Sequence, residues 1–70
     1  MSPEARELKI TLAAARCNKG LRQKEAAEAL GVTPKTLSRW ENSQSFPDVQ
    51  NIKKIESLYG IEYRNLIFLK

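Results

Sequence analysis

Lys35, Ser38, Arg39 and Asn42 fall at positions i, i+3, i+4 and i+7 within the stretch GVTPKTLSRWEN, residues 31 to 42. In a helix starting at Pro34 this spacing gathers the four side chains on one face and sends Leu37, Trp40 and the stem of Glu41 to the opposite one. The first face carries an ammonium, a forked guanidinium, a hydroxyl and an amide, with no acid among them. It is either ordinary solvated helix surface or a surface that donates hydrogen bonds to an acceptor-rich, anionic partner. A second group lies upstream. Gln23 opens the preceding helix, where free backbone N–H groups and the helix dipole favour an anion. Arg16, Lys19, Arg22 and Lys24 surround it with no acid in the intervening stretch.

The 70-residue chain has a formal charge of +4 and no histidine. That balance suits an acidic partner, either nucleic acid or an anionic membrane surface. Catalysis finds no support: there is no activated-nucleophile arrangement, no glycine-rich phosphate loop and no group of metal ligands, so no enzyme activity, metal, cofactor or small-molecule ligand is expected. The one cysteine, Cys17, forms no intramolecular disulfide and reads as a small, partly buried hydrophobe in a reducing compartment. No stretch has the length of a transmembrane helix, and the opening MSPEARELK lacks the apolar core of a signal peptide, so the expectation is a soluble cytoplasmic protein.

These side chains need a scaffold, and the chain punctuates one. Ser2-Pro3-Glu4 reads as a helix start, and a first helix to about Cys17 carries the apolar stripe Ala5, Leu8, Leu12 and Ala15, widened by Ile10, Ala14 and Cys17. That stripe is largely alanine and is needed for the core, which argues against a membrane-surface role. Gly20 stops the first helix. A second runs from about Gln23 to Leu30 and buries Ala26, Ala27 and Leu30; Gly31 ends it, Thr33 caps the third helix, and Pro34 takes its first position. After the loop SQSFP, Asp48 caps a fourth helix, ending at Gly60, whose Val49, Ile52, Ile55, Leu58 and Tyr59 face the core. A last short helix, about Tyr63 to Leu69, is expected, and no strand. The fold class is therefore all-α, a compact bundle of about five short helices forming one domain over residues 1–70, with a helix-turn-helix at about 23–42.

The stretch QKEAAEALGVTPKTLSRWEN, followed by Pro47 and IKKIESLYGI, closely resembles the phage repressor and Cro family of helix-turn-helix DNA-binding domains, and the likeness covers nearly the whole chain. It rests on Gln23, Ala27, Gly31, Val32, Thr33, Leu37 and the Trp40-Glu41-Asn42 ending taken together. The resemblance implies a lambda-repressor-like fold whose third helix enters the major groove of double-stranded DNA while the second crosses the backbone. The base-reading set would be Pro34, Lys35, Ser38 and Arg39, with Arg39 able to bond two guanine acceptors and Pro34 limited to apolar contact. Arg22, Gln23, Lys24, Thr33, Thr36 and Asn42 would contact phosphate. It further implies a structural ion pair between Arg16 and Glu41, with Trp40 packed inside rather than stacked on a base.

The implied activity is that of a transcriptional regulator, a repressor of bacterial or phage type, which occupies an inverted-repeat operator as a homodimer. The run Leu66, Ile67, Phe68 and Leu69 is the candidate dimer surface, being more apolar than one small helix needs. The alternative is an antitoxin-like module that binds a toxin partner and autoregulates. One departure from the family pattern concerns structure directly: Ser43 stands where glycine usually follows Glu-Asn, so the exit from the third helix is less comfortable in a left-handed conformation.

Overall fold

A computed structural model describes residues 9–68. Among them four α-helices occur, α1 (Leu12–Asn18), α2 (Gln23–Leu30), α3 (Pro34–Glu41) and α4 (Val49–Tyr59), with a short 3-10 turn at Tyr63–Asn65. Two two-residue strands, β1 (Ile10–Thr11) and β2 (Leu66–Ile67), pair in parallel with Ile10 opposite Leu66 and Thr11 opposite Ile67. The fold is thus mostly helical, with a small sheet joining its two ends.

Local chemistry sets the helix boundaries. Thr11, Thr33 and Asp48 each cap a start, their side-chain oxygens accepting from Ala14 N at 3.1 Å, Thr36 N at 3.1 Å and Asn51 N at 2.9 Å. The four ends share one device: a left-handed residue whose successor donates its N–H to a carbonyl five positions back, as Leu21 does to Arg16 and Gln44 to Arg39. Glycine takes the left-handed position three times; Ser43, with φ 63°, takes the fourth.

Two expectations are corrected at the ends of the chain. The helix expected to run unbroken to about Cys17 begins, among the described residues, at Leu12, because Thr11 caps it and Ile10–Thr11 is extended and paired; Ser2, Pro3, Glu4, Ala5 and Leu8 lie outside the described residues. The expected final helix is a single 3-10 turn followed by β2, and Leu69 also lies outside the described residues. A short apolar run does not reveal its conformation through periodicity, and here the β-branched Ile10, Thr11 and Ile67 pair instead.

Leu12, Ala15, Ala26, Ala27, Leu30, Leu37, Trp40, Ile55, Tyr59 and Leu66 form the core. Val49, expected on that core face, is 68% exposed. At about 100° per residue it sits roughly 120° around α4 from the buried Ile55, beyond the buried stripe. Cys17 is exposed rather than partly buried.

Candidate functional site

Helices α2 and α3 pack through Ala26, Ala27, Leu30 and Leu37, all fully or almost fully buried. Alanine on α2 lets the two axes approach closely, and the connection is only Gly31-Val32-Thr33, with Gly31 left-handed at φ 76° and Val32 against the core. The outer face of α3 is thereby set at a fixed angle to α2. Trp40 is 4% exposed, so its ring serves packing.

On that outer face Lys35 and Arg39 are exposed, and among the described residues neither has an ion-pair partner. Ser38 is half-buried. Asn42 turns back onto α3, its Nδ2 donating to the Ser38 carbonyl at 2.8 Å and to Ser38 Oγ at 3.3 Å. Pro34 is exposed in the first turn. Thr33 Oγ1 both accepts from Thr36 N and donates to Thr36 Oγ1 at 3.0 Å, which leaves the half-buried Thr36 hydroxyl a proton to donate elsewhere.

The upstream basic group does not stay together. Arg22 and Lys24 are exposed at the start of α2, but Glu25 is there too, its carboxylate accepting from the Arg22 backbone N–H at 2.8 Å. The ammonium of Lys19 lies against Gly60, 3.2 Å from where a Cβ would stand. It thus serves the negative end of α4. Arg16 turns inward. Its Nε donates to Glu41 Oε2 at 2.7 Å, its Nη2 to Oε1 at 3.4 Å and its Nη1 to the Leu21 carbonyl at 2.9 Å.

Glu41 also receives Gln23, whose Nε2 donates to Oε1 at 3.0 Å. One carboxylate at the end of α3 therefore binds side chains from α1 and from the first position of α2. The Arg16 and Glu41 side chains are 14% and 6% exposed, and the hydrogen bond from Arg16 to Glu41 raises the guanidinium pKa above its ordinary value. The Gln23 bond was not legible in the sequence, since nothing local connects residues 18 apart.

In the segment after the 3-10 turn Leu66 is 7% exposed and belongs to the core, while Ile67 and Phe68 are half-buried. Phe46 and Tyr63, which sequence reasoning did not single out, pack on the Phe68 ring at centroid distances of 6.3 and 5.6 Å and are 61% and 49% exposed. With Pro47 and Ile52 these three rings line a shallow cavity of about 90 Å³. Among the described residues no three potential metal ligands gather, and no helix is long and apolar enough to cross a membrane.

What the arrangement offers is a packed α2–α3 unit, with cationic donors on α3 that have no ion-pair partner among the described residues and an amide at the positive end of α2. A family model described as helix-turn-helix matches residues 12–66. No curated protein and no solved structure matches the chain.

Proposed function

Because the chain belongs to the helix-turn-helix family, in its Cro/C1-type branch, and is thereby a DNA-binding protein, we propose that it reads double-stranded DNA by sequence and acts as a repressor in the cytoplasm. The observation that carries this is the outer face of α3: Lys35 and Arg39 stand exposed beside Ser38, with no ion pair among the described residues to hold them. In the major groove, Arg39 bonds guanine O6 and N7, Lys35 reaches guanine or phosphate, Ser38 donates or accepts, and Pro34 meets a thymine methyl. Gln23, Arg22, Lys24, Thr33 and Thr36 anchor phosphates, and Asn42 joins them by turning its Nδ2 from Ser38 to a phosphate oxygen. The protein needs no cofactor and catalyses nothing.

One such helix reads only a few base pairs, so the operator is an inverted repeat bound by two copies with recognition helices roughly 34 Å apart. The dimer surface is the aromatic patch of Phe46, Tyr63 and Phe68, together with Ile67 and Leu69 of the C-terminal run; Leu66 supports it from the core. This shifts the contact from the C-terminal run alone to include the loop that leaves α3. The same exposed patch is what favours the antitoxin-like reading, in which a different small protein covers it.

The test is a set of affinities for the best duplex selected from a random pool, its single-base variants and random DNA. Arg39→Ala should cost about 1 to 3 kcal/mol per half-site on the best duplex and relax preference at one position. Unaltered base preference would show that α3 does not read through this face. Sedimentation of the complex distinguishes two copies per duplex from one, and co-purification of a second protein would favour the antitoxin-like reading.

A further inference from the structure

We propose that Glu41 is the positioning residue for Gln23: its carboxylate fixes the Gln23 amide so that the phosphate anchor on α2 is held in register with the reading helix α3. This rests on the reading of Gln23 as a phosphate anchor. A glutamine at an exposed helix start ordinarily turns through three side-chain torsions, and ordering it on DNA costs free energy at the moment of binding. Here that order exists before DNA arrives. Gln23 Nε2 donates to Glu41 Oε1 at 3.0 Å, and Gln23 is half-buried rather than splayed into solvent.

The amide orientation follows from chemistry. A carboxylate only accepts, so the nitrogen and not the oxygen of the amide must face Glu41. Glu41 itself cannot swing, because Arg16 binds both of its oxygens and is in turn tied to the Leu21 carbonyl at 2.9 Å. Nε2 keeps a second proton, and a phosphate oxygen is an acceptor that can take it. Since Glu41 is the last residue of α3, the anchor and the reading face share one fixed point. The distance between backbone contact and base contact is set by one ion-paired carboxylate.

The experiment is a double-mutant cycle in DNA affinity with Gln23→Ala, Glu41→Gln and the pair, on the best duplex and on random DNA. Gln23→Ala should weaken both duplexes by similar factors, on the order of fivefold per half-site for one lost hydrogen bond. Glu41→Gln should do likewise, and the double variant should be no weaker than the worse single one. Additive losses would overturn the positioning role while leaving the anchor standing; a silent Gln23→Ala would overturn the anchor and the inference together. Side-chain amide relaxation in the unaltered protein gives an answer independent of whether Glu41→Gln folds. Gln23 Nε2 should be as ordered as the backbone, unlike the exposed Gln44 and Gln50, and equal mobility in all three would overturn the proposal.

Discussion

Ser43 is the one described residue other than glycine with a positive φ, 63°, and its Oγ donates to the Phe68 carbonyl. Two opposing contributions meet in this side chain. Its Cβ in the left-handed region costs about 1 to 2 kcal/mol, and its hydrogen bond, which ties the exit of α3 to the segment after β2, contributes about 0.5 to 1.5 kcal/mol. Two substitutions separate them. Ser43→Ala keeps the Cβ and loses the bond, so it should destabilise by about 1 kcal/mol. Ser43→Gly loses both and should fall close to the unaltered protein, because relief of the left-handed conformation offsets the missing bond. The gap between the variants is then about 1 kcal/mol, equivalent to roughly 4 to 8 °C in Tm for a domain of this size. Thermal and urea denaturation followed by circular dichroism measure it. An alanine variant as stable as the glycine variant would refute the left-handed cost, and an alanine variant as stable as the unaltered protein would refute the contribution of the Phe68 bond.

Lys24→Ala should weaken all duplexes alike and reduce the magnitude of the log–log salt slope by about 0.9 if its ammonium neutralises one phosphate; a change in base preference would contradict that role. Leu37→Ala removes a side chain with no exposure from the α2–α3 contact, so chemical denaturation should register a loss of about 2 to 5 kcal/mol. Tyr59 has a buried hydroxyl without a hydrogen-bond partner among the described residues, and burial pushes its pKa from 10.0 up to about 12. The folded state thus holds this proton more tightly than the unfolded one, so its contribution is complete below pH 10 and is lost as the pH rises from 10 towards 12. Tyr59→Phe should flatten that alkaline limb and cost little at neutral pH, and an unchanged limb would locate the titration elsewhere.

Features that depend on neighbours along the chain are readable from the residues alone. Caps at Thr33 and Asp48, the stops at Gly31 and Gly60 and the start of α3 at Pro34 were legible, because a helix end is satisfied by residues within one turn of it. The grouping of Lys35, Ser38 and Arg39 on one face follows from the helical period alone. Features that depend on distant residues meeting come from packing. The pairing of Ile10 with Leu66 joins the two ends of the described segment, and strands of two residues carry no periodicity to announce it. Lys19 reads as part of a basic cluster, yet the fold carries it to the end of α4. Val49 carries an apolar side chain but sits beyond the buried stripe, and Phe46 becomes part of an exposed patch only because Tyr63 and Phe68 arrive beside it. Gln23 shows the division within one residue. Its place at the positive end of α2 was written in the local sequence, whereas the carboxylate that orients it comes from α3, because only packing brings those two helix ends within hydrogen-bond reach.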